Sequence, residues 1–395
     1  CYKKIPKKLN RFYFFNFIFS FLYYFKVMRN IFLELNHSPE EIKLKLEKSF
    51  HSLFEGNNEN ERVYFETNDG LAYIVDIGHN DIRSEGMSYG MLITALMQKK
   101  EFFDKLWNFS KRYLLNHEGE WKGYFSWQVS THDFSMIDKG AAPDGEEYFA
   151  AALLLASKIF HEEKYKEDAL QILNAMAYKK PEGIVHTMMD KNTGLVRFSP
   201  AEGNDFTDPS YHTLAFYRLF AKESGDSFWE NAYKKSLDYL KKALHPVTGL
   251  PADYSEFDGT PKKTSWHSLS HCFSGDAWRV IWNISLDYEA FSHDAWEGES
   301  VLKMLSFFES QRPYFSDYEV DGTKASENAK TATTGHIAMN ATGTLALAEN
   351  HPYIKIFAED LWNTETPTGT WRYYDGMLYM IALLACSGKF SWINL

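Results

Sequence analysis

Four short segments scattered along the chain each set a carboxylate among glycine, proline or serine, residues that make tight turns and let backbone and ligand approach closely. They are Ile-Arg-Ser-Glu-Gly-Met-Ser-Tyr-Gly-Met (82–91), Gly-Ala-Ala-Pro-Asp-Gly-Glu-Glu-Tyr-Phe (140–149), Asp-Phe-Thr-Asp-Pro-Ser-Tyr-His (205–212) and Gly-Asp-Ala-Trp-Arg-Val (275–280). Taken singly, an acidic residue at such a junction is accounted for by helix capping, because free N–H groups and the helix dipole favour negative charge there. Taken together, Glu85, Asp144 and Asp276 supply what acetal hydrolysis needs. One carboxyl holds a proton for the leaving oxygen, and another, ionised, activates water across the ring. Phe, Tyr and Trp make up 17% of the sequence, more than a helical core requires, and their flat faces also suit a cleft that stacks on sugars.

Other chemistries find little support. A net charge of -11 works against the phosphate-neutralising surface of nucleic-acid binders, so neither nucleic acid nor an anionic membrane is an expected partner. His267 and His271 have the i, i+4 spacing of a zinc pair but lack the intervening Glu. Asp190-Lys-Asn-Thr-Gly opens like a calcium loop, yet Ala201 stands at the twelfth place where Glu is required. Both segments read as ordinary loops. Walker A and GxGxxG patterns are absent from the sequence, and no cofactor or metal is expected. The three cysteines, Cys1, Cys272 and Cys386, are widely spaced without a CxxC pair, which fits a reducing compartment and makes Cys272 an inert buried thiol.

Residues placed this far apart need a scaffold that brings them together. Ser38-Pro-Glu-Glu41 is a capping box with proline at the first helical position, followed by Ile42, Leu46, Phe50, Leu53 and Phe54 on one face. The next segment, Ser84 to Lys99, is apolar on most sides, as a buried helix is. Amphipathic and all-round apolar stretches then alternate: 101–115, 145–160, 164–177, 210–222, 227–243, 275–290, 294–309, 338–348, 352–362 and 374–386. Strand signals are confined to short pieces such as Tyr73 to Asp76. Six hairpins of one outer and one buried helix predict an all-α fold, an (α/α)6 toroid, with residues 28–395 as a single domain. The inner helices of such a ring run parallel, so their N-terminal ends, with Glu85, Asp144 and Asp276, share one concave face. Residues 1–27 are read as an upstream stretch ahead of a start at Met28, because no small-residue cleavage site follows the apolar run Phe12 to Phe25.

In this order, the four segments and the run Thr-Gly-Thr-Trp-Arg-Tyr-Tyr-Asp-Gly-Met-Leu-Tyr (368–379) resemble glycoside hydrolase family 8, from about residue 34 to residue 394. The resemblance implies an inverting enzyme on a six-hairpin toroid. By it Glu85 matches the general acid and Asp276 the general base; Asp144 matches a carboxylate that holds and distorts the sugar, and Tyr211 a tyrosine that orients the base and its water. Arg83, Trp127, Arg279 and Tyr374 lie in matching segments and are expected to line the cleft and bind substrate. Retention of the Glu85 proton near neutral pH is ascribed to the charge of Asp144 together with partial burial. Arg279 is read either as holding Asp276 ionised or as bridging two helices.

The xylan-acting branch is the most similar, which implies β-1,4-xylosidic bonds of xylooligosaccharides or xylan as substrate. The Glu-Gly-Met-Ser-Tyr-Gly-Met segment, the compact N-terminus and the lack of a convincing secretion signal favour a cytoplasmic enzyme that releases xylose from the reducing end; if the N-terminal apolar segment is a true signal, the protein is secreted. One departure favours an endo-xylanase instead: exo-acting relatives block the cleft with a Leu-His-Pro kink where this chain has Thr331-Ala332-Thr333. Readings from other classes are a carbohydrate-binding toroid, opposed by the intact Glu85 and Asp276 pair, and a sugar epimerase, which needs a paired histidine. The oligomeric state is left open.

Overall fold

The computed structural model describes residues 27–327 and 329–394. After a single helical turn at Ile31–Glu34, helices alternate between two kinds. One kind buries a single face: α1 (Pro39–Glu55), α3 (Lys100–Phe109), α5 (Glu163–Tyr178), α7 (Ser227–Ala243), α9 (Ala295–Ser310) and α11 (Pro352–Asn363). The other kind is buried on most sides: α2 (Ser84–Leu96), α4 (Pro143–Phe160), α6 (Leu214–Ser224), α8 (Arg279–Asp287), α10 (Thr334–Thr342) and α12 (Arg372–Cys386). Each buried helix packs against the next in chain order, and α12 packs back against α2. The inner ring is therefore closed, which makes the fold an (α/α)6 toroid.

Local sequence explains where the elements begin. Ser38 Oγ accepts the Glu41 N–H at 3.3 Å while Glu41 Oε2 accepts the Ser38 N–H at 2.8 Å, completing the expected capping box, and Ile42, Leu46, Phe50, Leu53 and Phe54 face the core. Three inner helices start four residues from where their apolar patterns indicate: the segment read from 210 opens with a 3₁₀ turn at Pro209–Tyr211 and is α-helical from Leu214. The segment read from 275 is helical only from Arg279, because residues 275–278 form a turn held from outside the helix. The segment read from 338 begins earlier, at Thr334, and tightens into a 3₁₀ turn at Gly343–Ala346. Thr and Gly are poor helix formers, and their helical start is supported by Asp375 of α12, whose Oδ1 accepts the Gly335 N–H at 2.9 Å.

Two small sheets complete the fold. β1 (Tyr64–Glu66) pairs with β2 (Ala72–Ile74), and β3 (Asp81–Arg83), β4 (Gln128–Ser130) and β5 (Met136–Asp138) form an antiparallel three-stranded sheet with Ile82 opposite Val129. Only β2 overlaps the strand signal read at Tyr73 to Asp76, sharing Tyr73 and Ile74; three-residue strands are too short to carry an alternation. β3 runs directly into α2, so the sheet aims the first turn of that helix. Cys272 and Cys386 are buried free thiols, and no described helix is long and apolar enough to cross a membrane. The expectation for residues 1–27 falls, Val27 apart, outside the described residues.

Candidate active site

The first turns of the inner helices meet at a cleft of two chambers, of about 630 and 650 Å³, that share Arg83, Glu85, Tyr254, Trp266 and Asp276. The first continues past Asp144 along Trp121, Trp127, Phe198 and Tyr211. The second is walled by His79, His267, Trp371, Tyr373 and Tyr374. Both volumes are typical of small-molecule sites, and walls that combine aromatic rings with carboxylates and other polar groups suit sugar faces and their hydroxyls.

Glu85 occupies the second position of α2 and Asp144 the second of α4, and two glycines let these helix starts close on one another. A Cβ on Gly145 would lie 2.5 Å from Ser84 Oγ, and one on Gly86 would lie 2.6 Å from the Tyr373 hydroxyl. Without those side chains, α4 docks against the start of α2, and Tyr373 donates to Glu85 Oε1 at 2.8 Å. Asp276 lies on the turn before α8, and that turn is tied to α12 by the Tyr374 hydroxyl, which donates to the Gly275 carbonyl at 2.8 Å.

Arg279, 2% exposed, joins these groups from below. Its Nη1 donates to Asp144 Oδ2 and the Tyr89 hydroxyl, both at 2.7 Å, and to Glu85 Oε2 at 3.4 Å, while Nη2 donates to Asp276 Oδ1 at 2.9 Å. The same Nη2 lies 3.9 Å from Asp208 Oδ2 on a fully buried side chain. One guanidinium thus spans four carboxylates, using its fixed fork of donors.

Charge crowding in a dry site separates the behaviour of these acids. Burial pushes the Glu85 carboxyl up to about 7, opposed by Arg279 and by the Tyr373 hydrogen bond and reinforced by the charges of Asp144 and Asp276. The proton is therefore retained chiefly by desolvation, with Asp144 contributing less than its expected share. Burial also raises Asp144, and burial followed by the charge of Asp276 raises Asp208. Replacing Asp144 with asparagine removes a charge that keeps the Glu85 proton on and leaves Arg279 freer to pair with Glu85. Both changes lower Glu85, so the high-pH limb of kcat/KM is expected to move down by about one pH unit in Asp144→Asn. An unmoved limb would mean that Asp144 has no part in holding that proton.

The structure brings Glu85, Asp144, Asp276, Tyr211, Arg83, Trp127 and Tyr374 together around the cleft, but Arg279 lies beneath it rather than on its wall. Arg279 contacts Asp276 and bridges α2, α4 and α8. Arg83 is held by Asp81 at 3.0 Å and Asp76 at 3.1 Å, 5.7 Å from the Trp127 ring centre. The Tyr211 ring sits 5.8 Å from the Arg279 guanidinium. Unread from sequence were Tyr373, next to the chosen Tyr374, the buried Asp208 and Asp253, and the cleft aromatics Trp121, Trp266 and Trp371. Tyr373 and Trp371 stand in the run 368–379 and Asp208 in the segment 205–212, so their segments signalled them, whereas Asp253, Trp121 and Trp266 stand on loops without pattern. His267 and His271 do not pair: His267 bonds Asp253 at 2.8 Å, and His271 sits by Cys272 and Glu319. The Cys272 thiol is pushed up to about 12 by burial, so it keeps its proton and is a poor metal ligand at neutral pH. Asp190 makes a turn, its Oδ1 accepting the N–H groups of Asn192 and Thr193.

An (α/α)6 toroid whose inner-helix starts converge on an aromatic cleft, with a raised carboxyl facing a second carboxylate, is the framework of a glycoside hydrolase. Residues 57–388 match the family model "Glycosyl hydrolases family 8". The chain is 38% identical, over 93% of its length and 95% of the relative's, to the reducing end xylose-releasing exo-oligoxylanase of Halalkalibacterium halodurans. It is also similar to a family 8 protein from Teredinibacter turnerae in a xylobiose complex (38% identity, TM-score 0.87, 93% of this chain and 98% of that one). A third similarity is to Rex8A from Paenibacillus barcinonensis complexed with xylose (36%, TM-score 0.85, 92% and 97%). The chain belongs to glycoside hydrolase family 8 and is a glycoside hydrolase.

Proposed function

We propose that this protein cleaves β-1,4-xylosidic bonds with inversion and releases xylose from the reducing end of xylooligosaccharides. The observation that carries the catalytic reading is the pairing of Glu85, raised to about 7 by burial, with Asp276 through separate nitrogens of one guanidinium at the junction of two aromatic chambers. In this reading Glu85 gives its proton to the leaving oxygen as the bond breaks. Asp276 takes a proton from water that attacks the anomeric carbon from the opposite face. Asp144 holds the sugar at the point of cleavage, Tyr211 orients the base and its water, and Arg83, Trp127 and Tyr374 contact the chain of sugars. Arg279 holds the carboxylates in register rather than touching sugar.

The substrate assignment is supported by the relatives that act on or bind xylose oligomers, and a cytoplasmic site of action by the free thiols of Cys272 and Cys386. Thr333 donates to Asp375 at 2.7 Å, which sets the segment of the missing kink beside Tyr374 and hence the second chamber. The reducing end is therefore assigned to that chamber.

A second reading, endo-xylanase, is favoured by two observations. Thr331 is exposed, and Trp371, 66% exposed, offers a further stacking face in the second chamber. The test is a time course on reducing-end-labelled xylohexaose. Labelled xylose alone is expected first; labelled di- and trisaccharides from the outset would establish the endo reading, and an inert xylohexaose would sink both.

A further inference from the structure

The turn that carries Asp276 is tied to α8 by Arg279, whose N–H donates to the Asp276 carbonyl at 3.1 Å, and to α12 by Tyr374. Two further amides of the turn are held by Asp253, which is 1% exposed. Asp253 Oδ1 accepts the Ser274 N–H at 3.1 Å and the Ala277 N–H at 2.9 Å, the amides on either side of Gly275 and Asp276. The backbone N–H of Asp253 donates to the Cys272 carbonyl at 2.8 Å, so the anchor is itself tied to the chain leading into the turn. Asp253 Oδ2 is engaged by His267 Nε2 at 2.8 Å. His267 is 30% exposed on the wall of the second chamber and rests edge-on against Tyr254, 5.4 Å between ring centres.

We propose that Asp253 and His267 are positioning residues for Asp276: the carboxylate fixes the turn through two amides, and the imidazole fixes the carboxylate. This rests on Asp276 being the base. A carboxylate oxygen shared by two N–H donors makes stronger and shorter bonds than a neutral acceptor, and the second oxygen must be satisfied for the first to stay aimed. Burial pushes the Asp253 carboxyl up to about 7, opposed first by its bond to His267, and the same bond draws His267 upward; with Oδ2 engaged by Nε2, Oδ1 is left to the two amides of the turn. A carboxylate misplaced by about 1 Å can cost about 100-fold in rate, without changing how tightly sugars stack on the aromatic walls. The effect of the pair should therefore fall on kcat and not on KM.

The experiment compares Asp253→Ala, Asp253→Asn and His267→Ala by kcat and KM on xylotetraose, with affinity for the same sugar measured calorimetrically in a Glu85→Gln background. Asp253→Ala is expected to lose about 30-fold in kcat, with KM and affinity within about twofold of the parent. Asparagine keeps an acceptor oxygen for both amides, so Asp253→Asn should recover kcat to within about threefold of wild type. His267→Ala, which frees Oδ2, should lose about fivefold. Wild-type kcat in Asp253→Ala, or a loss of kcat matched by equal loss of affinity, overturns the proposal. Should Asp253→Ala not fold, wild-type kcat in His267→Ala overturns it, and reduced kcat there with recovery in Asp253→Asn supports it. Asp276→Asn separates the two readings. A fully active Asp276→Asn removes the base that the pair would position, whereas an inactive one beside an unimpaired Asp253→Ala sinks the positioning role alone.

Discussion

Replacing Glu85 by glutamine is expected to lower kcat on xylotriose by about 10⁴-fold while leaving hydrolysis of β-xylobiosyl fluoride within about tenfold of wild type. The contrast follows from what each carboxyl is asked to do. A sugar oxygen leaves as an alkoxide unless it is protonated, and Glu85, raised to about 7 at the junction of the two chambers, has a proton available near neutrality. Fluoride leaves as a stable anion and needs no such proton. Asp276→Asn meets the opposite requirement: attack by water needs a base whatever the leaving group, so both substrates should suffer. Glutamine keeps the size of Glu85 and can still accept from Tyr373, which preserves the contact that aims the side chain. Rates for the two substrates measured in each variant check the assignment. Equal losses on both substrates in Glu85→Gln would mean that Glu85 does something other than protonate the leaving group.

The parts of this site that the sequence made legible are those fixed by local rules. A helix buried on all sides has to be apolar on all sides, so the alternation of α1 to α12 located the ring before any contact was known. Carboxylates at inner-helix starts followed from that ring, because parallel inner helices share one face; Glu85 and Asp144 lie where this logic puts them. Asp276 satisfies it only in part. The apolar run extends ahead of the helix, and nothing in Gly-Asp-Ala-Trp reveals that amides on this turn are captured by Asp253 from a distant loop. Trp266 was illegible for a related reason: an aromatic residue on an irregular loop has no periodicity, and only the closed ring turns it toward a cleft. Arg279 was legible as a residue of the site but not as its floor, since burial of a guanidinium is set by how many carboxylates converge on it. The partition between burial and Asp144 in raising Glu85 likewise depends on the depth of the cleft, which no spacing encodes.

Removing that floor has the largest consequence for the fold. In Arg279→Leu the cation disappears from among Glu85, Asp144, Asp276 and Asp208, and its volume is filled by an apolar side chain. Breaking a buried ion pair from one side costs about 3–5 kcal/mol, because the surviving charge is left without compensation, and here several charges survive. The carboxylates can escape part of this cost by taking up protons, and that makes the loss depend on pH. Glu85 already stands at about 7 against an ordinary value of 4.5, and Asp144 and Asp208 are also raised. A raised carboxyl holds a proton in the folded state that the unfolded chain has released, so stability falls as pH climbs from the unfolded value through the folded one. Loss of Arg279 lifts the folded values further and extends this fall to higher pH. Below about pH 4 both states are largely protonated and the variant should lie close to wild type; at pH 8 the full deficit should appear. Urea unfolding of both proteins at the two pH values measures it. A deficit of the same size at both would assign the damage to lost packing of the arginine stem, whereas a deficit that opens with pH identifies Arg279 as the charge that allows four acids to share one cleft.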